Sequence, residues 1–148
     1  MHSSRKRTGL DYARMVSGGL CLAAGIAKAL PQVEDVGAVL GLMAEANADT
    51  VLAPLSDLIV ANTGPMTVLV GLALAGSGLA FLTGRLLIPA AIGQIAMLLG
   101  FMTLLFRFQP AIVLIDLPFL VVALLVLRRE MARRGEAVPG PLSQGRTS

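Results

Sequence analysis

Asp116 stands where a carboxylate is expensive, inside the apolar run 111–127, with Pro118 two residues later. A charged group at that depth must be protonated, hydrated or paired, which marks it as a candidate for chemistry. Two cations fall at compatible depth: Lys28 at the end of the first apolar run and Arg107 just after the third. Gln94 and Thr103 add neutral polar groups on the third run. If Asp116, Lys28, Arg107 and Gln94 converge, they form a small ligand-binding pocket in which Lys28 or Arg107 donates to a quinone headgroup or a lipid phosphate. The same residues fit two other readings. One is a buried ion pair that fixes helix order, with Pro118 bending its helix; the other is a proton relay through Asp116.

Most other chemistry lacks its residues. The only histidine is His2 and the only cysteine is Cys21, so neither a haem nor a usual metal ligand set can be assembled. Dithiol exchange needs a second cysteine, and Cys21 reads as a small buried apolar residue. There is no hydrolytic triad, and the glycines follow no strand that would make them a nucleotide loop. The sequence therefore assigns no catalytic residue, no metal and no intrinsic cofactor; a bound quinone or lipid is the ligand the pocket would suit.

The elements that must hold these groups are four apolar runs, 12–30, 66–82, 86–106 and 111–127. Each is near the roughly 20 residues a helix needs to cross about 30 Å of hydrocarbon. With 55% hydrophobic and 14% charged residues, and a mean hydropathy of +0.79, the chain has too little polar surface to cover a soluble globule. The expected fold is an all-α integral membrane four-helix bundle. The pI near 9.8 does not point to nucleic acid, because the basic residues gather at helix ends and tails with no aromatic interleaving.

Charge placement orients the runs. Arg5, Lys6, Arg7 and Arg14 lie before or at the start of the first, Arg85 lies between the second and third, and Arg128, Arg129, Arg133 and Arg134 follow the fourth. In a four-span topology all of these fall on one side, which the positive-inside rule makes cytoplasmic, with both termini inside. The opposite side receives segment 31–65, with five of the nine acidic residues and no Lys or Arg. A cleavable signal peptide is the competing reading of the first run, since a basic start leads into an apolar core and Ala27-Lys28-Ala29. Its length and the Gly19, Ala23 pair favour a retained packing helix. Asp11 and Arg14 at its cytoplasmic boundary read as a solvated pair.

Segment 31–65 is not a fifth span, because Glu45, Asn47 and Asp49 interrupt it. It reads as two short helices. Val36, Val39, Leu40, Leu42 and Met43 recur at helical spacing behind Glu34-Asp35, and Pro54 opens a second stretch to Ala61 with Leu55, Leu58 and Ile59 as its stripe. This helical outer segment would cap the bundle, as a packing lid or a ligand gate. Small residues at four-residue spacing, Gly71 with Ala75, Gly76 with Ala80 and Gly84, and Ala96 with Gly100, predict close packing of the first three spans. The domain plan is a tail at 1–10, a membrane domain at 11–134 and a Pro/Gly/Ser-rich disordered cytoplasmic tail at 135–148.

Arg14, Gly18-Gly19, the element Gly25-Ile26-Ala27-Lys28 and the glycine-rich second span ending at Arg85 resemble the DoxX-like family of small four-helix bacterial membrane proteins. The resemblance covers roughly residues 12–127. It implies a location in the bacterial inner membrane, an association with redox processes that include a quinone-linked thiosulfate-oxidising complex, and membership of larger assemblies. On this basis the expected role is a non-catalytic accessory or assembly subunit, with membrane lipids and other membrane protein subunits or further copies of itself as partners. The alternatives are a quinone-linked redox subunit with a polar pocket near Asp116, and a small transporter.

Overall fold

The structure is a computed structural model that describes residues 8–28, 30 and 35–136. The expectations for residues 1–7, for Pro31 and Glu34, and for the tail from 137 lie outside the described residues. Within them the chain is all-α, in six helices: α1 (Gly9–Ala27), α2 (Val36–Asn47), α3 (Ala53–Ala61), α4 (Thr63–Thr83), α5 (Leu87–Leu105) and α6 (Ala111–Glu136). α4, α5 and α6 are long and apolar enough to cross a membrane. α1, which carries Asp11 and Arg14 in its first two turns, is not among them.

Each helix end has a local cause. At α1 the Asp11 carboxylate Oδ2 accepts from both the backbone N–H and the hydroxyl of Thr8, at 2.8 Å each, which tethers the residue preceding the helix. Asp35 caps α2 by accepting from the Ala38 N–H at 3.0 Å. Pro54 occupies the first turn of α3, where its missing N–H costs nothing. α4 ends at Gly84, whose φ of +73° is left-handed and natural for glycine at a helix C-terminus. Only residues 84–86 separate α4 from α5, so these two helices form an antiparallel hairpin. α6 continues through the arginines to Glu136, with Pro118 inside it.

Packing is densest between α1 and α4, and it comes down to glycine. A Cβ added at Gly18 would lie 2.9 Å from the Gly78 carbonyl oxygen, and one at Gly25 would lie 2.6 Å from the Ala75 nitrogen. A Cβ at Gly78 would meet the Gly18 carbonyl and the Leu22 nitrogen, both at 2.6 Å. The two backbones thus touch along a seam spaced by seven residues on each helix. In lipid, where burial of apolar surface drives little association, such approach gains dispersion contact that larger residues would block. The expected pair Gly71 and Ala75 belongs to this seam. Gly19, Gly76 and Gly100 do not, since nothing lies within 4 Å of a Cβ at any of them.

α4 also packs on α5, α5 on α6, and α6 returns to α1, with Phe81, Leu87, Ala91, Ala123 and Val126 at the centre of a buried cluster. The structure is not the expected four-helix bundle: among the described residues three helices, α4, α5 and α6, are long and apolar enough to cross a membrane, and α1, with Asp11 and Arg14 in its first two turns, is not. The expected outer helices are present as α2 and α3, which pack on each other and on α4 and bury Met43, Asn47 and Ser56. The outward faces remain apolar: Val16, Leu72 and Leu114 are 62%, 69% and 75% exposed.

Replacement of Gly25 or Gly78 by Val should force α1 and α4 apart and destabilise the protein by about 1–3 kcal/mol or more, whereas Gly100→Ala should be nearly neutral. Thermal unfolding of the detergent-solubilised protein reads the difference; equal melting temperatures for Gly25→Val and Gly100→Ala would rule out the seam.

Candidate functional site

Arg14 and Arg129 lie at one end of the molecule. The Arg14 guanidinium lies against Gly84, with Nη1 3.1 Å from a Cβ built there, so its positive charge faces the C-terminal end of α4, where the helix dipole favours a cation. Arg129 of α6 bonds Asp11 at 2.8 Å and the Thr8 hydroxyl at 3.3 Å. Asp11 and Arg14 therefore do not pair with each other as expected; each ties α1 to a different helix. The Thr8 backbone N–H, then its hydroxyl, then Arg129 hold the Asp11 carboxyl well below the usual carboxylate range.

The opposite end is built by α2 and α3. Asn47 is fully buried, and its Nδ2 donates to the Ser56 hydroxyl at 3.2 Å and to the Leu104 carbonyl at 2.9 Å. One amide thus joins α2 to α3 and fastens both to the C-terminal turn of α5, whose last carbonyls have no partner within the helix. Beneath this pair lies a cavity of about 270 Å³. Met43 from α2, Ile59 from α3, Val70 from α4, Phe101 from α5 and Ile112 from α6 contribute to its lining, with Lys28, Thr67 and Gln109 as polar contributors. A second, more open cleft of about 310 Å³ runs between α4 and α5, past Gly76, Ser77, Gly93 and Gln94.

Of the four residues expected to form a pocket, Arg107 and Gln94 have other partners. Lys28 caps α1 and lines the cavity under α2 and α3. Arg107 instead pairs with Asp49 at 3.0 Å, on side chains 49% and 75% exposed. Gln94 is buried on α5, and its Nε2 donates to Cys21 Sγ at 3.3 Å. Asp116 is half-buried on α6, one turn beyond the cavity-lining Ile112 and on the same helix face, with its Oδ2 sealed and without a hydrogen-bond partner. Thr103 is exposed and returns its hydroxyl to the Leu99 carbonyl at 2.7 Å. The arrangement therefore separates an apolar cavity with one lysine from the buried Gln94–Cys21 contact.

Sequence reasoning placed Cys21 inside but missed Asn47 and the inward role of Ser17. The signal was available in α1, where Arg14, Ser17, Cys21 and Lys28 recur at three, four and seven residues. For Asn47 a single polar residue near a helix end gave no sign of the distant carbonyl it reaches. Among the described residues no three His, Cys, Asp or Glu side chains lie together.

Residues 12–145 match a known sequence family. The chain belongs to DUF6041, a family of unknown function. The resemblance to DoxX-like proteins rests on the α1 and α4 motifs alone. The chain is also similar to a protein of Serratia sp. (strain ATCC 39006) named oxidoreductase PigB, at 37% identity over 118 residues. That alignment covers 79% of this chain and 18% of PigB, so the chain spans less than a fifth of the relative's length. No solved structure matches the chain.

Asn47→Leu should remove both bonds and release α2 and α3 from α5 at a cost of about 1–3 kcal/mol. Amide exchange across 36–61 should accelerate well before exchange in α4, and unchanged exchange would show that the amide does not hold the pair. Because the folded Asp11 carboxyl titrates below its unfolded value, its contribution is complete above the unfolded value near pH 4 and fades as pH falls through the folded value. The difference in exchange of the first turn of α1 between the native protein and Asp11→Asn should thus be constant from about pH 5 to 8.

Proposed function

We propose that this DUF6041 protein is a non-catalytic membrane module of a redox system, which seats an oxidoreductase partner at the membrane and holds an apolar ligand under α2 and α3. The observation that carries the reading is the extent of the PigB likeness. A larger protein named an oxidoreductase contains a stretch similar to most of this chain, while the greater part of PigB lies outside the similarity. The membrane-spanning stretch and the remainder can thus occur joined, and the present chain is read as the membrane part of a comparable pair. The DoxX-like motifs of α1 and α4 point the same way.

In this reading α1 joins α4, α5 and α6 as a fourth span, and the protein lies in the bacterial inner membrane. The charge pattern supports cytoplasmic termini, since Arg14, Arg85 and Arg129 share one end and Asp49 lies at the other. Tyr12, Leu69 and Leu79, all more than half exposed, would face lipid.

The apolar cavity supports the ligand. Its lining of Met43, Ile59, Val70 and Phe101 suits a prenyl or acyl chain, and Lys28 suits a carbonyl or phosphate head. A quinone and a lipid share that chemistry. Asp116 and Gln94 lie deeper, and Arg107 serves the outer ion pair with Asp49.

The test is mass spectrometry of the intact protein purified in mild detergent from its native membrane. The expected result is an oxidoreductase subunit in stoichiometric amount, together with one quinone or lipid per chain that is lost in Val70→Trp, a substitution that fills the cavity. A preparation with no other protein would overturn the module reading. Undiminished ligand in Val70→Trp would move the ligand elsewhere.

A further inference from the structure

The interior carries a second polar feature that does not rest on the redox reading. Arg14, Ser17, Cys21 and Lys28 share one face of α1, over about 21 Å of helix rise at 1.5 Å per residue. The glycine seam runs beside this face and holds it close to α4. Ser17 and Cys21 are buried. Gln94 reaches Cys21 from α5 at 3.3 Å, and Asp116 buries its Oδ2 on α6, the helix that packs on α5 and on α1.

Hydrogen-bonding capacity is left over along this face. Among the described residues five sealed side-chain polar atoms have no partner, and four of them are Arg14 Nε, Ser17 Oγ, Gln94 Oε1 and Asp116 Oδ2. The fifth, Asn47 Oδ1, belongs to the α2–α3 pair. Native proteins rarely leave such atoms unmatched. The mismatch also has a sign. Gln94 Oε1 accepts, a carboxylate Oδ2 accepts, Arg14 Nε donates, and the Ser17 hydroxyl does either. A partner that serves all four must both donate and accept and must fit between packed helices, which describes water.

We propose that Ser17, Gln94 and Asp116 hold a file of internal waters between the Arg14 end of the protein and the cavity at Lys28, and that this file conducts protons by way of Asp116. Each transfer breaks one O–H bond as the next forms. At Asp116 the proton adds to Oδ2 to give the neutral acid and leaves from it to the next water; no electron moves. The charged and titratable groups facing the path are Arg14, Cys21 and Lys28 on α1 and Asp116 on α6. In the turn after α5, Arg107 is engaged outside with Asp49, and on α6, Arg129 is engaged at the end with Asp11. A single file of waters between packed helices leaves no room for a hydrated sodium or potassium ion, whereas a proton passes by exchange of O–H bonds.

The experiment uses the full chain in sealed liposomes containing a pH-sensitive dye, with a potassium diffusion potential set by valinomycin and sodium entry followed in parallel. The expected result is proton entry well above protein-free liposomes without sodium entry, at least tenfold slower in Asp116→Asn and restored in part by Asp116→Glu. Ser17→Ala, which removes only a hydroxyl, should slow entry as well and provides the readout if Asp116→Asn does not fold. Entry at the protein-free level, equal sodium entry, or unchanged entry in both Ser17→Ala and Asp116→Asn would overturn the proposal.

Discussion

The contact of the α1 and α4 backbones at Gly18, Gly25, Ala75 and Gly78 governs the rest of this structure. Two helices that approach so closely lose freedom to rotate about their own axes, because only the glycine faces allow the approach. The rotation of α1 is then fixed, and with it the direction of the neighbouring face. That face carries Ser17 and Cys21, which are consequently buried. Without the glycines the same residues could turn toward lipid, where a serine hydroxyl has no partner except its own helix. The seam therefore determines where the polar groups of the interior lie, although it contains no polar side chain.

The two ends of the molecule are secured by different means. At the basic end, Arg14 against the end of α4 and Arg129 on Asp11 attach α1 to two other helices through charge. At the other end a neutral amide does this work, as Asn47 joins α2, α3 and the last turn of α5. A carbonyl at a helix terminus would otherwise need water, and Asn47 satisfies that of Leu104. The exposed Arg107–Asp49 pair adds little beside it, since ion pairs on mobile surface side chains contribute about 0–1 kcal/mol.

Much of the fold was legible in the sequence, and the reasons are local. The apolar runs at 66–82, 86–106 and 111–127 became α4, α5 and α6, because length and composition determine which helices can span a bilayer. The stripe from Val36 and the Pro54 start correctly placed α2 and α3, which periodicity and first-turn chemistry reveal without tertiary information. What failed was tertiary. Small-residue spacing identified Gly71 and Ala75 but equally suggested Gly76 and Gly100, which touch nothing, because spacing is a property of one helix and contact requires two. Arg107 and Asp116 matched in apparent depth, yet Arg107 found Asp49 on the far side of a turn. Depth along a helix carries no information about its rotation.

Solid-state NMR of the protein in lipid bilayers, with carbon-13 confined to glycine, measures that rotation directly. The account predicts interhelical cross-peaks between Gly18 and Gly78 and between Gly25 and Gly71, with none from these α1 glycines to Gly93 or Gly100 of α5. Absence of the α1–α4 peaks, or their replacement by peaks to α5, would contradict the seam and the inward polar face that depends on it.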